Sequence, residues 1–202
     1  MTAERFYHEL VQKTAESENC NKEKYGEPSQ WTQAITKIIQ TILSDNLSEV
    51  SSDSGTEIGT SKEYYRIDVT SWIQQKDSIR EACKKVEMDP HLWQLQTAVE
   101  HENESEKWFD EVCKLSFIRC PLRVVIGYGI ENADEKINIV KDILHRTNAF
   151  TDADQEFVVI LGVQKDRYPE NSSNPCGYRL WVLKQNEENI ICSLKIDENG
   201  EK

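Results

Sequence analysis

Acidic side chains with a spacing suited to sharing a metal ion occur on two predicted strands. Read with the period of two that a strand has, residues 95–102 place Glu100 and Glu102 on one face and Leu95, Thr97 and Val99 on the other. A second alternating stretch, residues 64–72, places Asp68 on the polar face of its own strand. If the two strands are neighbours, the three carboxylates can surround a divalent cation. Mg²⁺ suits such a site because it binds few carboxylates and keeps water and phosphate as its other ligands.

The elements that must position these acids follow directly in the chain. Residues 108–118 carry apolar side chains at helical spacing, and residues 122–128 form an apolar strand, so the Glu100 strand is expected to begin a strand–helix–strand unit. A further helix is predicted over residues 131–146. With the strands of the C-terminal segment, these elements predict an α/β fold, a mixed central β-sheet flanked by helices.

The chain of 202 residues is long enough for one domain with a sizeable core, and we interpret residues 1–202 as a single domain. Its predicted segments are N-terminal helices over 3–43, a flexible loop rich in Ser, Asp, Gly and Thr over 44–61, a core over 62–147 and strands over 156–196. A short helix is also predicted over 77–86, between the two acidic strands.

The order of these acids resembles the motif of the PD-(D/E)XK, or restriction-endonuclease-like, nuclease superfamily over residues 64–128. The resemblance implies a restriction-endonuclease-like core, with Asp68, Glu100 and Glu102 as catalytic residues that bind Mg²⁺ or Mn²⁺ and hydrolyse DNA. It also implies that the main-chain carbonyl of His101 completes the metal shell. Two residues depart from the motif: Ile67 replaces its Pro, and Glu102 replaces the Lys that helps to orient water or stabilise charge.

The net charge of −12 weighs against a protein that coats nucleic acid nonspecifically, since such binding depends on neutralised phosphates. A carboxylate site is itself acidic, however, and its metal supplies local positive charge. Basic residues do accompany the helix after the Glu100 strand, and they are Lys107, Lys114, Arg119 and Arg123. We interpret them as a solvated helix face, and the alternative is a basic strip that contacts nucleic acid.

No apolar run of the sequence is long enough to span a bilayer, so no membrane partner is expected. The N-terminal residues are charged and amphipathic and lack the apolar core of a signal peptide, which predicts a cytoplasmic location. The 6 cysteines lack zinc-binding spacing and are expected to be reduced, packed thiols.

Other functions remain open on the sequence alone. The main alternative is a catalytically inactive nuclease-like fold that serves as a binding or assembly subunit, which the missing Lys and the acidic charge favour. A glycosidase-like pair of acids is weaker, because such acids normally come from different strands at defined separations. His101 points away from Glu100 on a regular strand and is expected to be packed or hydrogen-bonded there. The partners that these hypotheses allow are DNA, a second copy of the chain or a different subunit.

Overall fold

The computed structural model describes residues 1–18, 20–25, 27–54, 58–64, 66–74, 83, 85–87, 93–163, 173–187 and 189–196. The helices in these ranges are α1 (Ala3–Glu16), α2 (Lys22–Tyr25), α3 (Pro28–Ser54), α4 (Trp108–Ser116) and α5 (Ala133–Arg146). The strands are β1 (Ile58–Tyr64), β2 (Ile67–Gln74), β3 (Trp93–His101), β4 (Leu122–Tyr128), β5 (Glu156–Gly162), β6 (Arg179–Asn186) and β7 (Asn189–Ile196).

The strands that the structure describes form one open sheet in the order of the chain, from β1 at one edge to β7 at the other. The pairs β3–β4 and β4–β5 are parallel, and the remaining pairs are antiparallel. Each parallel pair is joined by a helical crossover, because parallel neighbours cannot be joined by a tight turn. The predicted α/β fold with a mixed sheet and flanking helices is therefore confirmed.

Helices cover the sheet on both faces, and the central strands are apolar on both sides. Val124 and Ile126 of β4 pack into a core with α1, α2 and α3, whereas Val125 packs into a second core with α4 and α5. All of β4 is buried, which explains its continuous apolar sequence. The side of the sheet that holds α4 and α5 is called the α4 face below.

The predicted strand–helix–strand unit is present as β3, α4 and β4. Trp108, Val112 and Leu115 lie on one side of α4 and are fully buried against the α4 face of the sheet. Gly127 of β4 lies directly beneath Trp108, where an added Cβ would be 2.7 Å from Trp108 Cγ. The absence of a side chain at Gly127 thus allows the indole to lie close to the sheet.

The predicted loop over 44–61 is wrong for most of its length. Helix α3 continues to Ser54, and β1 begins at Ile58. Apolar Leu43, Leu47 and Val50 keep helical spacing through this polar stretch, so the helix can continue despite the many serines.

Two details of the predicted strands also differ. Residues 64–72 contain a turn, in which Arg66 has the left-handed φ of 62° between β1 and β2. In β3 the pairing register with β2 shifts between Ser71 and Trp72, so that Leu95 packs with the α4-face core instead of sharing a face with Val99. The helix predicted over 77–86 lies outside the described residues, apart from positions 83, 85 and 86.

Candidate functional site

Strand pairing brings Asp68 and Glu100 together. Val69 of β2 pairs with Val99 of β3, and this antiparallel register sets Asp68 beside Glu100 at the end of the ladder. The charge of Asp68 raises the pKa of Glu100, and Asp68 Oδ2 accepts a hydrogen bond from the His101 amide at 2.9 Å. Glu100 is only 2% exposed. Two acids that are distant in the chain therefore lie side by side on the α4 face, Glu100 buried and Asp68 half-buried.

Glu102 lies outside this pair. Strand β3 ends at His101, and the Glu102 amide extends the ladder by donating to the Ile126 carbonyl at 2.9 Å. Its carboxylate turns back to accept a hydrogen bond from the Glu104 amide at 2.8 Å. The charge of Glu102 still raises the pKa of Asp68, so the two groups are electrostatically coupled without direct contact.

A lysine from helix α4 contacts this pair of acids. Lys114 Nζ lies 2.8 Å from Glu100 Oε1, forms an ion pair with Glu111 and donates to the Arg66 carbonyl at 3.0 Å. The ammonium thus bridges β3, α4 and the turn before β2. We call Asp68, Glu100, Glu111 and Lys114 the acid–lysine cluster. Sequence reasoning missed the roles of Lys114 and Glu111, although their i, i+3 spacing on the helix after Glu100 was a usable signal.

Burial dominates the electrostatics of the acid–lysine cluster. Loss of hydration raises the pKa of Glu100 to about 8; the hydrogen bond from Lys114 lowers it, and the charges of Asp68 and Glu111 raise it further. Burial also raises the pKa of Asp68, against the hydrogen bond from the His101 amide. Burial lowers the pKa of Lys114, but its hydrogen bonds to Glu100 and Glu111 raise it by more. The negative charge of the acid pair therefore has to be offset by a proton or by a neighbouring cation such as the Lys114 ammonium.

The acid pair of the acid–lysine cluster provides two carboxylates for a hard divalent cation, without a third ligating side chain among the described residues. Asp68 and Glu100 offer two adjacent carboxylates, and Mg²⁺ is often bound by only one or two carboxylates together with water and phosphate. Within the part of the chain that the structure describes, no group of three or more His, Cys, Asp or Glu side chains is arranged to hold a metal. A metal at this site would therefore rely on two carboxylates from the protein.

The remaining basic residues near α4 do not form a common surface. Arg123 is fully buried, donates to the Ala149 carbonyl at 2.6 Å and lies over the Phe150 ring, 4.9 Å from its centroid. Burial lowers the pKa of Arg123 to about 10. Arg119 donates to the carbonyls of Asn148 and Ala149. The interpretation of these residues as a solvated helix face is therefore wrong for Arg123, which anchors the loop before β5.

His101 faces the opposite side of the sheet, as its place in the alternation predicts. Its Nε2 lies 2.8 Å from the Tyr128 hydroxyl, which also accepts from Trp31 Nε1 at 2.6 Å. Burial lowers the pKa of His101 to about 3, so the ring is neutral. A cavity of about 170 Å³ lies beside this group, and its lining is Tyr25, Pro28, Trp31, Asn103, Ser105, Tyr128 and Val163.

Comparison of the chain with models of known protein families, with curated proteins and with solved structures found no significant match. None of the helices in the described residues is both long and apolar enough to pass through a membrane.

Proposed function

We propose that this chain has a restriction-endonuclease-like core and hydrolyses phosphodiester bonds of nucleic acid, DNA in the first instance, with the help of Mg²⁺ or Mn²⁺. The observation that carries the proposal is the strand register that sets Asp68 beside Glu100, with the Lys114 ammonium 2.8 Å from Glu100 Oε1. Two acids and one lysine from separate elements are the residue types that such a reaction uses. Lys114 offers the positive charge that the motif resemblance lacks at Glu102.

The residues of the cluster have distinct proposed roles. Asp68 and Glu100 would hold the cation, which would lower the pKa of a bound water and offset negative charge on the phosphate. The Lys114 ammonium would stabilise negative charge on a phosphoryl oxygen, and Glu111 would orient that ammonium. Glu102 would act at longer range, because its charge raises the pKa of Asp68.

Cleavage of labelled DNA in the presence of Mg²⁺ or Mn²⁺ tests this function. We expect Glu100→Gln and Asp68→Asn to lower the cleavage rate by at least about 100-fold, because each removes a charge that the cation needs. Glu106→Gln is the matched control. Glu106 is an exposed acid in the connection between β3 and α4, and it lies outside the acid–lysine cluster. Unchanged cleavage by Glu100→Gln would show that another group, or a contaminant, cuts the DNA.

A second candidate is a non-catalytic binding or assembly subunit. The Glu102 carboxylate accepts a hydrogen bond from the Glu104 amide, and the Lys114 ammonium forms an ion pair with Glu100. Both contacts suit a cluster whose role is structural. Calorimetry with Mn²⁺ separates the candidates, since a structural cluster should show no Mn²⁺ binding that depends on Asp68. Light scattering would then show whether the chain assembles with itself.

A further inference from the structure

Lys114 occupies an unusual position for a surface lysine. Its side chain is 33% exposed, yet its ammonium has three acceptors, on Glu100, Glu111 and the Arg66 backbone. An ammonium has three N–H donors, so this set satisfies all of them. By contrast, the side chain of Lys107, which directly precedes α4, is 58% exposed and forms an ion pair with the exposed Glu104. The structure therefore holds one lysine of this segment in the acid cluster and leaves the other at the surface.

We infer that Lys114 is the built-in counter-cation of the Asp68–Glu100 pair and competes with a divalent metal for it, with Glu111 as the carboxylate that retains the ammonium once a metal binds. This inference rests on the metal site of the proposed function. Glu100 is buried and cannot be left next to Asp68 without a compensating positive charge or a proton. The Lys114 ammonium, 2.8 Å from Glu100 Oε1, supplies this charge. A divalent cation near Glu100 would repel the ammonium, whose contact with Glu111 lies on its own helix and does not depend on the acid pair.

Calorimetric titration with Mn²⁺ of the full chain tests the competition. We expect Lys114→Met to bind Mn²⁺ at least about tenfold more tightly than the wild type, because the competing charge is gone. Lys114→Arg keeps the charge and should bind within about threefold of the wild type. Lys107→Met is the matched control and should leave the affinity unchanged, since Lys107 contacts Glu104 instead of the cluster.

The role of Glu111 is tested by a double-mutant cycle. Glu111→Gln should weaken Mn²⁺ binding about threefold in the wild-type background, because the ammonium loses its alternative acceptor. The same change in the Lys114→Met background should have a smaller effect, since no ammonium remains to be retained. Equal effects of Glu111→Gln in both backgrounds would overturn the assigned role of Glu111.

Each result has a defined meaning. Equal or weaker Mn²⁺ binding by Lys114→Met, with binding still abolished by Asp68→Asn, would overturn the competition and leave the metal site standing. The absence of Mn²⁺ binding in the wild type and in Lys114→Met would overturn the metal site and the competition together. Circular dichroism and a thermal melt of each variant confirm that it is folded, and Lys114→Gln replaces Lys114→Met if the latter is not.

Discussion

Glu100 is a buried carboxylate whose charge is balanced by groups from other elements. Its sequence neighbours predict a strand with this side chain on one face, and the structure confirms that alternation through Ala98 and Val99. Its partners Asp68 and Lys114 are far away in the chain. The local sequence pattern therefore predicted the face of the strand on which Glu100 lies, but it did not predict the contact of Glu100 with Lys114.

His101 gives a prediction for acid stability. Burial disfavours the charged ring and lowers the pKa of His101 from its ordinary value of 6.5 to about 3 in the folded protein. Between these values the unfolded chain binds a proton that the folded chain does not, so the contribution of His101 is complete above pH 6.5 and is lost as pH falls. The free energy of unfolding should therefore drop by about 1.4 kcal/mol per pH unit from this residue.

Urea denaturation between pH 4 and pH 7 measures this effect. His101→Gln should flatten the acid side of the stability profile relative to the wild type, and His145→Gln, at an exposed histidine of α5, is the matched control for the substitution. If His101→Gln loses stability with acid as steeply as the wild type, other groups account for the slope.

Tyr128 gives a second prediction at this scale. Its hydroxyl contacts Trp31 Nε1, His101 Nε2 and the Tyr178 hydroxyl, all in the core. Tyr128→Phe leaves these buried polar groups without their shared partner, so we expect the free energy of unfolding to fall by about 2–3 kcal/mol. Tyr178→Phe removes a hydroxyl with fewer hydrogen-bond partners and should lower the free energy of unfolding by less. Equal losses for the two variants in urea titrations would show that the Tyr128 hydroxyl is not the centre of the network.

Helix α4 is the element on which the candidate site depends. It carries Glu111 and Lys114 on its accessible side and is anchored to the sheet by Trp108, Val112 and Leu115. The helical periodicity of these apolar residues made the helix predictable. The contact of Lys114 with Glu100 depends on how α4 crosses β3, and periodicity does not determine a crossing.

The close packing of α4 on the sheet can be tested by a substitution at Gly127. An alanine Cβ would lie 2.7 Å from Trp108 Cγ, and the indole is fully buried and stacked on Phe109, so it has little room to move. We expect Gly127→Ala to lower the free energy of unfolding by about 1–3 kcal/mol through overpacking. Trp108→Leu should lower the free energy of unfolding by less in the Gly127→Ala background than in the wild type, as measured by chemical denaturation. Strictly additive losses would mean that the two positions do not clash.

The net charge of the whole molecule affects its association with DNA. With a net charge of −12 and the basic residues Arg119 and Arg123 committed to backbone carbonyls, long-range attraction to phosphate is weak. If the proposed function holds, we expect little binding to labelled DNA at about 0.15 M salt without a divalent cation. Ca²⁺ should promote a complex by bridging the acid pair and phosphate, and Asp68→Asn should abolish the gain. Equally tight binding without Ca²⁺ would contradict this expectation.

The periodicities within single segments predict the α/β class, the order of most elements and the face of β3 on which Glu100 lies. They do not predict the strand around Asp68, where Ile67 and Val69 lie in different cores instead of on one face. Contacts between distant segments place Asp68 beside Glu100 and Lys114 against the same acid pair, and the Glu102 carboxylate turns to the Glu104 amide. These outcomes depend on the register between β2 and β3, the end of β3 at His101 and the crossing of α4 over the sheet. Register and crossing are set by packing between segments that are distant in the chain, and no local pattern contains that information.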